Sequence, residues 1–108
     1  MTHPTIDFEV RDHIARLALN RPDTGNSADL PLVRELLQIT TAISQDPSIR
    51  VVLLTGAGRN FCVGGDLKSF SAEADLGAHL AEVTGYLHSA VSLLAHLPAP
   101  VIAAVQGS

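Results

Sequence analysis

Residues 51–68 read VVLLTGAGRNFCVGGDLK, a buried-strand pattern followed by a glycine-bearing loop. Residues 50–55 form a short apolar run rich in β-branched side chains, which is typical of a parallel strand covered on both faces. The loop ends on Gly64, Gly65 and Asp66, where the aspartate can cap a following helical turn. This order of strand, loop and helix start predicts an α/β fold with helical crossovers.

The flanking segments extend the same pattern in both directions. Residues 5–19 alternate apolar and polar side chains around a polar turn, which predicts a β-hairpin. A helix is expected over residues 28–44, capped by Ser27 or Asp29. The predicted order becomes ββαβαβ once the segments after residue 68 are added.

Those later segments are a long helix and a last strand. Apolar residues recur at steps of four and three over residues 76–97, which predicts a helix that packs against the sheet. The members of this stripe are Leu76, Leu80, Val83, Leu87, Ala90, Leu94 and Leu97. Residues 101–105 form a second buried-strand pattern, so this helix serves as the crossover between two parallel strands.

Composition restricts the class of protein. The 108 residues are 46% apolar and 17% charged, which excludes a disordered chain and fits a single domain, residues 1–108. The net charge of −4 argues against nucleic acid as a partner. No apolar run approaches the roughly 18 residues of a membrane helix. Residues 1–4 show no export signal, so we expect no membrane association and a cytoplasmic location.

The reactive side chains give few alternatives. Cys62 is the single cysteine, so disulfides and multi-cysteine zinc sites are excluded, and we assign no histidine partner that would make it a nucleophile. His88 and His96 are too far apart on their helix for a shared metal, which favours i, i+4 spacing. We therefore expect no metal site.

The loop over residues 56–66 is the candidate site. Glycines let the backbone approach a ligand closely, and free N–H groups before a helix suit an anion or a developing oxyanion. Arg59 and Lys68 flank the loop. A plain strand-to-helix connection with a capping aspartate and no ligand explains the same residues. Without further information, this second interpretation is favoured. A dinucleotide turn is a remote alternative, because Phe61 stands where the third glycine of that fingerprint belongs.

Three stretches, in order along the chain, carry a resemblance to a known family. They are LNRP at residues 19–22 with Asn26, VVLLTG at 51–56 leading to FCVGGDLK at 61–68, and PVIAAVQG at 100–107. Together they resemble the crotonase (enoyl-CoA hydratase/isomerase) family. The resemblance implies the start of a crotonase-like (ClpP/crotonase) spiral fold, ending before the second oxyanion turn.

The resemblance also implies site residues and a substrate. The backbone N–H of Gly65 would be the first oxyanion-hole donor for a thioester carbonyl. Substrate or CoA contacts would come from Val63, Gly64, Gly65, Asp66, Lys68, Arg59, Thr24 and Gly25. The partner would be an acyl-CoA thioester, with CoA as part of the substrate and no separate cofactor.

Two further expectations concern completeness. The resemblance implies that a second donor, the catalytic carboxylates and the helices of a trimer or hexamer belong to a full-length form, so this chain alone should be inactive. The alternative from another class is a non-catalytic fragment that binds CoA or pairs with other subunits. A dinucleotide-dependent oxidoreductase is the remote alternative.

Overall fold

The computed structural model describes residues 5–108, so residues 1–4, on which the expectation about an export signal rests, lie outside the described part. The predicted ββαβαβ order is confirmed, the helical turn expected after Asp66 is a short helix, and a 3-10 helix at Pro22–Thr24 is added in the turn after the hairpin. The elements are β1 Ile6–Arg11, β2 Ile14–Leu19, α1 Leu30–Ser44, β3 Val51–Gly56, α2 Leu67–Ser71, α3 Leu76–Ala95 and β4 Val101–Ala103.

The four strands form one sheet in the order β1-β2-β3-β4. The hairpin pair β1 and β2 is antiparallel, whereas β2, β3 and β4 run parallel to one another. The carboxyl ends of the three parallel strands therefore meet at one edge, which is where ligands bind in open α/β sheets. The candidate loop follows β3 at this edge.

The core lies between the sheet and α1. Its largest fully buried apolar side chains are Ile6, Leu17, Val33, Ile39 and Val52. They sit on alternate positions of the strands and on one stripe of α1, as the periods of these elements require. Burying such side chains is worth about 1.5–3 kcal/mol each.

Helix α1 begins two residues later than the sequence pattern predicts. Asp29 is its cap, and its carboxylate accepts a hydrogen bond from Leu32 N at 3.0 Å. Ala28, the predicted first residue, is held in a parallel bridge to Gly65. Because that bridge requires extended backbone, the helix cannot include Ala28.

The prediction that the α3 stripe packs against the sheet is correct only in part. Val83 and Ala90 are buried, but Leu76 is 46% exposed and Leu80 is 36% exposed. The main partner of α3 is α1. Leu80 borders an open cavity between α1, α3 and the sheet edge, which is why the N-terminal part of the stripe is not covered.

The prediction of a buried strand over residues 101–105 is wrong. Strand β4 covers only Val101–Ala103, and Ile102 is 55% exposed. Within residues 5–108, β4 is the outermost strand of the sheet, with β3 as its one partner. The chain then leaves the sheet, and Gln106 O accepts a hydrogen bond from Phe61 N at 2.8 Å. Among the described helices, none is long and apolar enough to cross a membrane.

Candidate functional site

Backbone hydrogen bonds fix the loop after β3 from two sides. Ala28 N donates to Gly64 O at 2.8 Å, and Asp66 N donates to Ala28 O at 3.0 Å. On the other side, Cys62 N donates to Ser108 O at 2.9 Å. The segment before α1 and the segment after β4 therefore hold the loop between them.

Gly65 lies at the point where this loop borders a cavity. In a parallel bridge the central residue directs its own N–H and C=O away from the partner strand, so the Gly65 N–H faces away from Ala28. Within residues 5–108, no group accepts a hydrogen bond from it. Gly65 also lines the cavity, whose volume is about 360 Å³. The geometry thus leaves a free backbone donor beside an apolar space.

The cavity is lined almost entirely by apolar side chains from the sheet edge, α1, α2 and α3. They include Leu19, Leu36, Leu54, Phe70, Val83 and Leu87. Thr84 also lines it, but the Thr84 hydroxyl lies within hydrogen-bonding distance of Leu80 O and Ala81 O in its own helix. The surface offered to a ligand is therefore apolar except at the loop.

The structure brings two of the predicted CoA contacts together. Val63 N donates to Gly25 O at 3.1 Å, and a Cβ on Gly25 would lie 2.8 Å from Val63 Cγ1. Gly25 has a φ of +64°, a backbone conformation that residues with a side chain adopt only with strain. Val63 is 51% exposed, and the neighbouring Thr24 is also exposed. These residues form one surface patch beside the loop.

The two predicted cationic contacts remain open to solvent. Arg59 and Lys68 are both exposed, and neither forms an ion pair within the described residues. They are placed at the loop and at the start of α2 respectively. Both are available to an anionic ligand.

Asp66 caps α2, as predicted, and also joins a charged cluster. Its carboxylate accepts from Ser69 N at 3.0 Å, from Arg21 Nη2 at 3.2 Å and from Ser27 Oγ at 3.2 Å. The Ser69 N–H lowers the pKa of Asp66 most, Arg21 and Ser27 lower it further, and partial burial opposes them. Asp66 is therefore an occupied, ionised anchor of the loop.

Sequence reasoning assigned no role to Arg21, which is the centre of this cluster. Its guanidinium pairs with Asp66 at 3.2 Å and with Asp29 at 3.3 Å, and it donates to Ser27 O. Its side chain is 19% exposed. Arg21 belongs to the LNRP stretch that contributes to the family resemblance, but neither that motif nor its place before a proline reveals these partners.

Asn26 was likewise missed as a structural tie. It is fully buried, its Oδ1 accepts from Arg21 N at 2.7 Å, and its Nδ2 donates to Ala57 O and Asn60 O at 3.0 and 2.9 Å. Its φ of +58° suits asparagine better than most residues. The side chain joins the turn before α1 to the loop after β3.

The remaining reactive groups do not assemble into a site. Cys62 is a free thiol of intermediate exposure beside the cavity. His88 lies on α3 and His96 is its C-terminal cap, and both are exposed. Across residues 5–108, no three His, Cys, Asp or Glu side chains lie close enough together to hold a metal ion.

The lowered pKa of Asp66 predicts a pH-dependent contribution to stability. We expect Asp66→Asn to reduce the free energy of unfolding by about 1–2 kcal/mol at pH 7, since it keeps the cap but loses the charge-assisted bond to Arg21. Because the pKa is lowered in the folded state, this contribution is complete above the unfolded value of about 3.9. It disappears as the pH falls through the folded pKa.

Urea unfolding between pH 2 and 7 measures this difference. Asp23→Asn is the matched control, because Asp23 is exposed, and it should follow the unmodified chain at every pH. A difference between Asp66→Asn and the unmodified chain that persists undiminished at pH 2 would contradict the assignment.

Comparison with known proteins gives a consistent result. Residues 9–108 match the family model described as enoyl-CoA hydratase/isomerase. The chain is 36% identical over 105 residues to (E)-benzylidenesuccinyl-CoA hydratase of Thauera aromatica, covering 94% of this chain and 39% of that protein. It is 38% identical over 103 residues to 1,2-epoxyphenylacetyl-CoA isomerase of Escherichia coli, covering 91% and 38%.

Solved structures agree. The crystal structure of enoyl-CoA hydratase from Mycobacterium smegmatis superposes with a TM-score of 0.89 at 30% identity, covering 96% of this chain and 40% of that one. The chain thus spans about two fifths of the length of these relatives.

Proposed function

The chain belongs to the enoyl-CoA hydratase/isomerase family, and on that premise we propose that it supplies an oxyanion donor for an acyl-CoA thioester. The observation that carries the proposal is the Gly65 N–H, which has no acceptor within residues 5–108 and borders an apolar cavity. Hydration and double-bond isomerisation both pass through a thioester enolate. A donor aimed at the enolate oxygen is worth roughly 3 kcal/mol of barrier.

The surrounding residues fit the two ends of such a substrate. The apolar cavity suits the acyl group, and the patch of Val63 with the turn at Thr24 and Gly25 suits the CoA moiety. The exposed cations Arg59 and Lys68 suit its phosphates. A cytoplasmic location and a trimeric or hexameric assembly of a longer form are part of the same proposal.

We further propose that these residues alone bind rather than turn over the substrate. Proton transfer needs a positioned base, worth about 10²–10⁴-fold in rate. Asp66 is the carboxylate adjacent to Gly65 in the chain, and it is occupied by Ser69, Arg21 and Ser27.

A second candidate function is that of a subunit-interaction fragment. The apolar side chains of the last segment favour it, since Ile102 is 55% exposed and Val105 is 64% exposed. Exposed apolar sheet edges promote association. Elution as a monomer in size-exclusion chromatography would count against this candidate.

The donor assignment is tested by amide spectra of the ¹⁵N-labelled 108-residue chain. We expect crotonyl-CoA to move the Gly65 amide proton downfield, while CoA itself, which lacks the thioester carbonyl, leaves it in place. The Val63 and Gly25 amides should respond to both compounds, and the Gly85 amide, inside α3, to neither.

A silent Gly65 amide beside responding Val63 and Gly25 amides would support CoA binding without an oxyanion role. The same samples should show no loss of enoyl thioester absorbance above the buffer rate. Turnover that Asp66→Asn abolishes would instead assign the base to Asp66.

The cationic contacts predict a salt-dependent loss of affinity. We expect Arg59→Ala and Lys68→Ala each to weaken CoA binding about threefold to tenfold at low salt, with a smaller effect at high salt because exposed charges are screened. Titration calorimetry at two salt concentrations measures this. Arg50→Ala removes the same charge just before β3, at the opposite sheet edge, and should leave the affinity unchanged. An equal loss of affinity in Arg50→Ala would show that the effect comes from the net charge of the chain and not from contacts of Arg59 and Lys68 with CoA.

A further inference from the structure

The ring of Phe70 lies directly against the backbone of Gly65. A Cβ built on Gly65 would lie 2.8 Å from Phe70 Cε2 and 3.3 Å from Cζ, and the first separation is shorter than real Cβ contacts allow. Residue 65 must therefore be glycine unless the ring moves. The glycine is required here by a close approach.

The ring has little freedom to move. Phe70 is 8% exposed, and its backbone N–H bonds to Asp66 O at 3.0 Å in the capped start of α2. Next to it stands the imidazole of His79, edge to face, with ring centroids 5.4 Å apart and an interplanar angle of 65°. His79 is also 8% exposed, and its Nδ1 is 3.6 Å from Glu73 Oε1. The imidazole thus backs the phenyl ring.

Gly65 is consequently restrained by two different features. The bridge to Ala28 fixes the neighbouring peptide groups, and the Phe70 ring packs on the side where a side chain would be. The Gly65 N–H shares a planar peptide group with Gly64 C=O, which accepts the hydrogen bond from Ala28 N, so its direction can change only as that peptide group tilts about the hydrogen bond. Because glycine has no side chain to resist such a tilt, the ring is the remaining contact that limits it.

We infer that Phe70, backed by His79, is a positioning residue that restrains the Gly65 N–H in the direction given by the bridge and admits only glycine at position 65. The inference rests on the proposed donor role of that N–H. Phe70 also lines the cavity, so its effect through Gly65 must be separated from direct contact with the acyl group. Coupling between positions 65 and 70 in the absence of ligand makes that separation, and the response of the Gly65 amide then reports the positioning.

A double-mutant cycle tests the coupling without any ligand. We expect Gly65→Ala to lower the folded-to-unfolded ratio roughly tenfold or more, as overpacking does, and to cost less than about twofold in the Phe70→Leu background. Gly85→Ala is the matched control, since nothing lies within 4 Å of its Cβ, and it should raise the ratio a few-fold. Equal costs of Gly65→Ala in both backgrounds would overturn the inference.

The cycle stays informative if Gly65→Ala does not fold. Recovery of the helical circular dichroism in the double variant would then support the inference, and failure to recover would overturn it.

Amide spectra test the positioning itself. In folded Phe70→Leu, we expect the shift of the Gly65 amide with crotonyl-CoA to fall several-fold, while the response of Val63 to CoA is unchanged. Phe8→Leu, the same substitution in β1, should preserve both responses. An undiminished Gly65 response in Phe70→Leu would overturn the inference and leave the proposed function intact. A silent Gly65 amide in the unmodified chain would overturn the proposed function, and the cycle would still decide whether the ring fixes Gly65.

Discussion

Asn26→Asp should destabilise the fold by roughly 2–5 kcal/mol, because it turns the donors of a buried side chain into acceptors. Asn26 Nδ2 donates to Ala57 O and Asn60 O, and the side chain is fully buried. An aspartate would direct a carboxylate oxygen at both carbonyl oxygens. Its backbone cost is small, since aspartate tolerates a φ of +58° nearly as well as asparagine. The loss therefore reports the hydrogen bonds.

Urea unfolding at pH 7 measures this loss, with Asn20→Asp as the matched control. The Asn20 side chain forms no hydrogen bond within residues 5–108, so that change should stay within about 0.5 kcal/mol. Equal effects of the two substitutions would show that Asn26 does not tie the loop to the turn before α1. In Asn26→Asp, the backbone amide hydrogens of residues 57–60 should exchange with solvent faster than those of β2.

Arg21→Met should cost about 2–4 kcal/mol at pH 7, because it leaves two partly buried carboxylates without their cation. Arg21 pairs with Asp66 and Asp29, whose side chains are 14% and 16% exposed. Methionine preserves the apolar stem, so lost packing contributes little. These carboxylates cap the N-terminal ends of α1 and α2. We therefore expect the candidate loop to become more mobile when their cation is removed.

Arg34→Met provides the comparison for this second substitution. Arg34 pairs with Glu82 at 3.2 Å on the surface, where the two side chains are 50% and 44% exposed. Such exposed pairs contribute about 0.2–1 kcal/mol. Chemical denaturation of both variants should rank Arg21→Met well above Arg34→Met. The reverse order would mean that solvent stabilises the Asp29 and Asp66 carboxylates as well as the Arg21 guanidinium does.

The sequence alone determined the elements and their order. The alternation of residues 5–19, the apolar run before Gly56 and the stripe of α3 are local periodic patterns, and each produced the element it predicts. Asp66 was also identified as a cap, because capping links residues only three positions apart. The family resemblance selected Gly65, and the structure places that residue beside the cavity.

Only the tertiary structure showed what holds the loop and what stays exposed. Arg21 meets Asp66 from 45 positions away, and Asn26 reaches Asn60 from 34. The contact between Gly65 and Phe70 crosses the start of α2. Hydrophobic patterns predict which face of an element is apolar, but not which element covers it, so the pairing of α3 with α1 and the exposure of β4 were missed. The physical reason is that burial and hydrogen bonding depend on neighbours in space, which the chain places side by side only after its elements have packed.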